Sequence, residues 1–309
     1  MYPIKSCQEA TAHGKTIVEL EAGSTGLKYG EIADRGWVVA NPDNLFVSQR
    51  GWDESQARKY REDRMLATVA IDIQSDHLAI SAPGHGAVDI AFEEPETKQA
   101  NIRIFGPDLP VLAEGAEASN FFSSLISRSV KLWRADPNRS RVLPQKYQRD
   151  GAVNRAAGAD GRPVSLASQA SLNYLHDLTG LPRGTVPLIN FRANVDIKGS
   201  ALGAFGEDTI RTAELGSIPV FVIKALARCP VPNFNQTTGD DSQRLATKIL
   251  RSRMGWALGE DTSSKAEPFF AQSLNHKFIP GLRYLVRVGD PVTIIEAGEP
   301  NVILKSSAA

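Results

Sequence analysis

The sequence predicts a mainly β fold with peripheral helices, of the α+β class. Short segments rich in Val, Ile and Phe follow one another through the first third of the chain without an intervening helical pattern. The second part is again dominated by strand patterns, and 309 residues suffice for two modest domains or one large one. Many short strands in succession favour a barrel or a curled sheet.

Strand composition recurs through the first third of the chain. Val69, Ile71 and Ile73 share one face with a period of two, as expected of a strand half buried in a sheet. The predicted strands are 16–22, 36–40, 45–48, 66–73, 77–82, 87–92 and 101–105. Residues 41–44 consist of turn formers and predict a hairpin loop.

Two helices are predicted from apolar stripes, one over 113–127 and one that Ser168 caps. The stripes comprise Ala118, Phe121, Phe122, Leu125 and Ile126 in the first helix and Leu172, Leu175 and Leu178 in the second. A polar helix is predicted near 241–253. Further strands are predicted at 163–167, 194–198, 218–226, 282–288 and 291–296.

Two segments interrupt these patterns. The charged stretch 52–65 fits either a helix with opposite charges three or four residues apart or an exposed insertion, and we favour the insertion. Residues 136–162 are poor in apolar side chains and rich in Arg, Asn, Gly and Pro, which predicts a linker or crossing loop.

Composition excludes several classes of protein. Lys plus Arg balance Asp plus Glu at 35 each, so we expect no nucleic-acid polymer as a partner. No apolar run is long enough for a membrane span, and the N-terminus lacks the apolar core of a secretory signal. Two cysteines are too few for a disulfide framework or a four-ligand iron–sulfur cluster. We therefore expect a cytoplasmic protein with reduced thiols.

Common catalytic signatures are absent from the sequence. There is no phosphate-binding glycine loop, no nucleophile elbow, no H-E-x-x-H and no C-x-x-C. The five histidines lack metal-ligand spacing, which indicates structural or surface roles.

Cys229 stands out by its position. It follows an apolar strand, lies beside Arg228 and precedes a loop of turn formers, where a thiol can ionise and act as a nucleophile or metal ligand. The alternative is a buried structural cysteine, since Cys packs like a small hydrophobe. Local features alone favour that alternative.

A set of short motifs extends in order over nearly the whole chain. They are residues 2–7, 34–37, 46–50, 78–83, 160–163, 168–172, 190–194, 205–208, 228–229, 238–239 and 288–292. In this pattern the chain resembles the MOSC superfamily in its two-part form, the group that includes the mitochondrial amidoxime-reducing components. The resemblance implies an N-terminal β-barrel module over 1–112, a helix and connecting loop over 113–162, a MOSC β-barrel domain over 163–298 and a tail over 299–309.

The resemblance also implies roles for individual residues. Cys229 matches the cysteine that ligates molybdenum, and Asp160 matches an acidic residue near the metal, so we assign both as catalytic. The implied cofactor-binding residues are Lys5, Ser6, Arg35, Arg192, Asn194 and Arg228. Cationic and amide side chains suit a phosphate and a polar pterin, and a thiolate suits a soft metal centre. The alternative for Arg35 and Arg192 is a surface ion pair, for instance with Asp34 or Glu207.

The implied function is reduction of N-hydroxylated compounds (amidoximes, hydroxylamines, N-hydroxylated bases) by oxygen-atom transfer at a Cys-ligated molybdenum–molybdopterin cofactor (Moco). A ferredoxin, a flavoprotein or a cytochrome b5-like protein is the expected external electron donor, and pyridoxal phosphate binding is not expected. The alternatives are a sulfur carrier that uses a Cys229 persulfide and a non-catalytic cofactor carrier. After Cys229 the chain departs from the family pattern at Pro232, Asn233 and Asn235, which leaves the substrate open.

Overall fold

The computed structural model describes residues 1–50, 61–93, 99–199, 201–241 and 243–305. The fold is mostly β, as predicted. The chain forms two compact units. The first comprises Met1–Gln148, Val153–Pro163 and Asn235–Asp240, and the second comprises Arg149–Ala152, Val164–Phe234 and Asp241–Ala309.

Short strands build the first unit. They are β1 (Thr11–Ala12), β2 (Lys15–Thr16), β3 (Glu19–Ala22), β4 (Leu27–Tyr29), β5 (Ile32–Ala33), β6 (Trp37–Ala40), β7 (Ala70–Ile73), β8 (His77–Ala82), β9 (Gly86–Ala91), β10 (Gln99–Ile102), β11 (Leu109–Ala113), β12 (Lys131–Ala135), β13 (Arg141–Val142) and β14 (Arg155–Ala156). One sheet has the order β2-β1-β7-β8-β9 and another the order β10-β11-β12-β6. β3, β4 and β5 form an antiparallel ladder, and β13 pairs with β14.

The core of the first unit lies where helix α1 (Ala116–Leu125) packs with the five-stranded sheet. Phe121 and Phe122 of α1 are buried in one cluster with Ile71 and Ile73 of β7. Ile71 pairs with Ile80 of β8 and Ile73 with Leu78, and all four are buried, because alternate residues of a strand point to the same face. The predicted face of this strand is therefore confirmed.

Several predictions for the first unit need correction. Residues 45–48 are not a strand, since Leu45 and Phe46 form only isolated bridges around the 41–44 turn, where the Asn41 side chain accepts from the backbone N–H of residues 43 and 45. The 66–73 strand begins only at Ala70 because a 3-10 helix, Arg61–Thr68, precedes it. Of the predicted 52–65 insertion, residues 52–60 lie outside the described part of the chain.

The 136–162 segment contains more structure than a linker. β13 and β14 pair within it, and a 3-10 helix (Gln145–Tyr147) lies between them. Leu143, Ala156 and Ala159 form a small buried cluster. The scarcity of apolar residues there concealed a short ladder that is held by few side chains.

A sheet of eight strands dominates the second unit. Its strands are β15 (Val164–Ser168), β16 (Val195–Ile197), β17 (Ile210–Leu215), β18 (Ile218–Ala227), β19 (Met254–Ala257), β20 (Glu267–His276), β22 (Val292–Ala297) and β23 (Val302–Leu304), and β21 (Leu285–Arg287) precedes β22. The order is β16-β15-β20-β18-β17-β22, with β19 pairing to β20 and to β23. β18 and β20, of ten residues each, run antiparallel at its centre.

Two α-helices pack with this sheet, α2 (Gln169–Thr179) and α3 (Leu245–Ile249), and 3-10 helices cover Leu188–Phe191, Gly206–Thr209, Val231–Asn233 and Leu250–Arg253. The Ser168 side chain accepts from the backbone N–H of Ser171, which confirms it as the N-cap of α2. Leu172 and Leu175 are buried, but Leu178 is 55% exposed, so its assignment to the apolar face was wrong. The predicted 241–253 helix is a single α-helical turn continued as a 3-10 helix.

The second unit holds a buried acidic pair, Glu207 and Asp208. Glu207 Oε2 accepts a 2.8 Å bond from Ser171 Oγ, while its Oε1 has no hydrogen-bond partner among the described residues. Asp208 binds Arg253 and accepts a 2.7 Å bond from Gln272 Nε2. Burial raises the pKa of Glu207 to about 7, against which the Ser171 bond acts. Glu207 therefore binds its proton more tightly in the folded chain than in the unfolded chain.

This raised pKa predicts a loss of stability as the pH rises. The folded chain holds the proton up to about pH 7, whereas an unfolded glutamate releases it near 4.5, so the stabilisation present at low pH is lost across this window. Glu207→Gln removes this titration. Its unfolding free energy relative to the wild type should rise between pH 4.5 and pH 8 by on the order of 3 kcal/mol.

Urea unfolding of both proteins across this pH range measures the difference. Glu214→Gln, at an exposed position on β17, is the matched control and should show no such dependence. A difference between Glu207→Gln and the wild type that stays constant with pH would contradict the assignment.

Candidate functional site

The N-terminal segment of the first unit is bound along residues 35–37. Trp37 N donates to Pro3 O at 3.0 Å and Lys5 N donates to Trp37 O at 2.8 Å, while Arg35 N donates to Tyr2 O at 2.7 Å. These backbone bonds place Lys5 and Arg35, two of the predicted cofactor-binding residues, on neighbouring segments of the backbone.

Two of the predicted residues in this unit have left-handed backbone conformations. Ser6 has φ 72° and Arg35 has φ 53°. Gly158 packs against the backbone of Arg35. The Gly158 N–H donates to Arg35 O at 2.8 Å, and a Cβ at position 158 would lie 2.6 Å from that oxygen. Positive φ in residues other than glycine is uncommon and tends to occur at functional sites, where surrounding contacts hold it.

Each predicted cation of the first unit bonds to a carboxylate. Lys5 Nζ donates to Asp160 Oδ1, and Arg35 donates to Asp34. The side chain of Asp160 is 61% exposed and that of Lys5 only 7%. The pairing of Arg35 with Asp34 was anticipated as the alternative, but it is not a surface pair, since the side chain of Asp34 is 1% exposed.

The charges around Asp160 favour its ionised form. Desolvation by itself would raise the pKa of Asp160, but the charge and hydrogen bond of Lys5, with Arg35 and Arg50, outweigh it and hold the pKa below its ordinary value. Burial lowers the pKa of Lys5, and Arg35 and Arg141 lower it further, against the attraction of Asp160. A single accessible carboxylate is thus surrounded by several cations.

Sequence reasoning missed Arg141, which is 2% exposed. Its Nη2 donates to the carbonyl oxygen of Ala159, whereas Nε and Nη1 have no hydrogen-bond partner among the described residues. Burial lowers the pKa of Arg141 to about 10, opposed by Asp160 and assisted by Arg162. One arginine in a segment rich in arginine carries no sequence signal that separates it from its neighbours.

Gln49 supports the Ser6 turn. Gln49 Nε2 donates to Ser6 O at 2.7 Å and to Gln236 Oε1 at 2.9 Å, and Gln236 Nε2 returns a 3.0 Å bond to Gln49 Oε1. Both glutamines are buried. Residues 235–240 therefore belong to the first unit, although Cys229, six residues upstream of Asn235, belongs to the second.

In the second unit, the end of β18 positions Cys229. Arg228 N donates to Pro268 O at 2.8 Å, which continues the pairing with β20 by one residue. Arg228 Nη2 donates to Phe191 O at 2.7 Å, and the guanidinium lies 5.3 Å from the centre of the Phe191 ring. Cys229 is half-buried with a free thiol. The fixed guanidinium lies on the residue next to the thiol.

The residues that follow Cys229 form a closed turn. The 3-10 helix Val231–Asn233 is bound to α3 by Asn233, whose Nδ2 donates to Thr247 Oγ1 at 2.8 Å and whose Oδ1 accepts from Thr247 N at 3.0 Å. Asn190 Nδ2 donates to Pro232 O at 3.1 Å. The carbonyl oxygen of Pro232 and the side chain of Asn233 therefore hold this loop in place.

Arg192 and Asn194 follow the 3-10 helix Leu188–Phe191. Arg192 has φ 55°, and its N–H donates to Ile189 O at 2.9 Å. Asn194 Oδ1 accepts from Ser165 N at 3.1 Å and from Ser165 Oγ at 3.0 Å, which fixes this turn on β15. Arg192 is thus a third predicted cofactor-binding residue with a left-handed backbone.

The described residues contain no group of three or more His, Cys, Asp or Glu side chains that could hold a metal ion. His176 is a structural residue, as predicted: Nδ1 lies 2.9 Å from Leu172 O, and Val186 N donates to Nε2 at 3.1 Å. Cys7 is buried, and neither Cys7 nor Cys229 forms a disulfide. In the part of the chain that the structure describes, no helix is both long and apolar enough to cross a membrane.

Comparison with known proteins confirms the resemblance that the motifs indicate. The family model for the MOSC N-terminal beta barrel domain matches residues 1–129, and the model for the MOSC domain matches residues 153–293. The chain is 25% identical over 297 residues to mitochondrial amidoxime reducing component 2 of Rattus norvegicus, a match that covers 94% of this chain and 80% of that protein.

Two human proteins give similar results. Mitochondrial amidoxime reducing component 2 of Homo sapiens is 27% identical over 295 residues, which cover 94% of this chain and 81% of that protein. Molybdenum cofactor sulfurase of Homo sapiens is 25% identical over 268 residues, which cover 82% of this chain but 28% of the sulfurase. The chain therefore belongs to the MOSC family, with a MOSC N-terminal β-barrel domain followed by a MOSC domain.

Proposed function

We propose that the protein is a reductase of N-hydroxylated compounds that uses a molybdenum–molybdopterin cofactor ligated by the Cys229 thiolate. The observation that carries the proposal is the position of Cys229, which leaves the central strand β18 beside the fixed guanidinium of Arg228. Relatives named amidoxime reducing components match over nearly the full length of the chain, which supports the same reaction class.

The residues present fit such a cofactor. Three cations, Lys5, Arg35 and Arg50, act on the accessible carboxylate of Asp160, and the buried Arg141 nearby adds a fourth positive charge, so the site has an excess of positive charge that suits an anionic phosphate. Cys229 is a thiol outside any disulfide, and the described residues contain no group of three or more His, Cys, Asp or Glu side chains that could hold a metal ion. This suits a metal whose other sulfur ligands belong to the cofactor itself.

Specific residues would hold the cofactor. Cys229 would ligate the metal. By the family resemblance, Lys5, Ser6 and Arg35 would bind the phosphate and pterin, and Arg192, Asn194 and Arg228 would make the other cofactor contacts. When bound, the cofactor supplies two-electron redox chemistry for oxygen-atom transfer from an N–O group.

The protein's own groups would bind and orient the reactants. Because its pKa is held low, Asp160 is a hydrogen-bond acceptor at neutral pH, and Lys5 Nζ donates to it. Asp160 could therefore accept an N–H hydrogen bond from a bound amidoxime. A ferredoxin, a flavoprotein or a cytochrome b5-like protein would supply electrons from outside the chain.

A sulfur carrier that holds a persulfide on Cys229 is the second candidate. The match to molybdenum cofactor sulfurase favours it, because that match covers 82% of this chain. Metal analysis separates the two candidates, since the reductase requires molybdenum in a purified protein that was made in a host able to synthesise the cofactor. Turnover of a model amidoxime with a chemical reductant separates the reductase from a non-catalytic carrier.

Cys229→Ser should abolish reduction of an amidoxime without unfolding the chain, because a hydroxyl is a poor donor to a soft metal. Cys7→Ala is the matched control: Cys7 is the other cysteine of the chain, and this variant should keep both molybdenum and activity. Metal content, circular dichroism and turnover are measured for both variants. Full turnover by folded Cys229→Ser, or loss of molybdenum from Cys7→Ala, would refute these assignments.

Arg192→Lys should weaken retention of the cofactor, because an ammonium cannot reproduce the planar two-bond grip of a guanidinium. Loss of a charge-assisted hydrogen bond in Arg192→Ala costs about 1.5–3 kcal/mol, or roughly tenfold or more in affinity. Molybdenum per chain after exhaustive dialysis measures retention.

The control for this pair of variants is Arg183→Lys. Arg183 lies in the same unit and forms an exposed, solvent-screened ion pair with Asp177, so Arg183→Lys should keep its molybdenum. Equal molybdenum occupancy in all variants would remove Arg192 from the site.

A further inference from the structure

Arg141 is a buried cation whose guanidinium is only partly used. It begins β13, pairs with Ala156 of β14, and donates from Nη2 to the carbonyl oxygen of Ala159. Its Nε and Nη1 have no hydrogen-bond partner among the described residues. Buried N–H groups of a charged side chain are costly when they are left without a bond. The arrangement therefore points to an acceptor that arrives in another state of the protein.

Asp160 is the carboxylate in place to be that acceptor. It follows Ala159, whose carbonyl Arg141 already binds, and its charge acts on both Arg141 and Lys5. In this structure it bonds to Lys5. With 61% of its side chain exposed, Asp160 has room to turn.

Lys5 does not share that freedom. Its side chain is 7% exposed, its Nζ lies 5.0 Å from the centre of the Phe46 ring, and its backbone N–H is bound to Trp37 O. An anion that reached Lys5 would meet the negative charge of Asp160 there. Since Lys5 is held in place, relief of that repulsion requires Asp160 to move.

We propose that Asp160 is a two-position carboxylate: it neutralises Lys5 in the ligand-free protein, and it turns to the unbonded N–H groups of Arg141 when an oxyanion of the phosphomonoester class binds Lys5. This rests on the proposed function insofar as the phosphoryl group is that of the cofactor. In the ligand-bound state both buried cations, Lys5 and Arg141, would then have an anionic partner, which burial favours. Arg141 is a positioning residue, because it acts on the ligand through Asp160.

Binding of inorganic phosphate to cofactor-free protein, measured by titration calorimetry at constant ionic strength, tests the exchange. Asp160→Asn removes the competitor for Lys5 and should strengthen binding about tenfold, the weight of one charge-assisted hydrogen bond. Arg141→Gln removes the second position of Asp160 and should weaken binding by a similar factor. Arg139→Gln, at the nearby ion pair with Asp136, is the control and should leave the affinity unchanged.

The double variant separates the exchange from simple charge effects. If Arg141 acts through Asp160, Arg141→Gln should change phosphate affinity less than about twofold in the Asp160→Asn background, because sites that share one partner are not additive. Additive effects would show that both charges act on phosphate independently, and would overturn the proposal. If Asp160→Asn does not fold, Asp160→Ser takes its place in the same cycle.

The source of the phosphoryl group and the proposed function are tested separately. If cofactor-loaded wild type, verified by its molybdenum content, no longer binds free phosphate, the phosphoryl group at Lys5 is that of the cofactor. If it still binds with the same dependence on Arg141, the ligand is free phosphate. A non-additive cycle in a protein that never binds molybdenum would support the exchange of Asp160 and contradict the proposed reductase. An additive cycle in a protein that binds molybdenum would contradict the exchange and leave the proposed reductase standing.

Discussion

The antiparallel pairing of β18 with β20 is the interaction on which the second unit depends. Both strands are ten residues long and lie at the centre of the sheet, with β15 beyond β20 and β17 beyond β18. Cys229 leaves this pair at its end, where Arg228 still bonds to the backbone of Pro268. A thiol on a free loop would sample many positions, whereas one that follows a paired strand directly inherits the order of the sheet.

The backbone conformation of three candidate site residues imposes a second constraint. Ser6, Arg35 and Arg192 all have positive φ, a conformation that costs free energy for residues with a side chain. Each is held by a specific contact: Gln49 binds the carbonyl of Ser6, Gly158 packs on Arg35, and the 3-10 turn after Leu188 carries Arg192. Contacts of this kind stabilise strained turns, which is a typical property of binding sites that are formed before their ligand arrives.

Sequence patterns predicted much of the fold but not all of its centre. Strand β8, helix α1 and the Ser168 cap have one apolar side or a recognisable capping residue, and periodicity detects both. β20 was missed because it is buried on both faces and includes buried Gln272, Ser273, Asn275 and His276, so no alternation of apolar and polar residues marks it. Arg141 was missed for a related reason, since burial and the lack of partners are properties of three-dimensional packing.

Residues 235–240 complete the first unit from far along the chain. During synthesis the first 163 residues emerge from the ribosome before Gln236 is added. Until then the side-chain amide of Gln49 lacks the partner that it has in the finished protein. Residues 1–163 alone therefore do not contain all of the first unit. Gene fusions or domain exchanges that cut near residue 163 would leave its interior with an unsatisfied amide, and recombination within this lineage should be tolerated better when both segments are exchanged together.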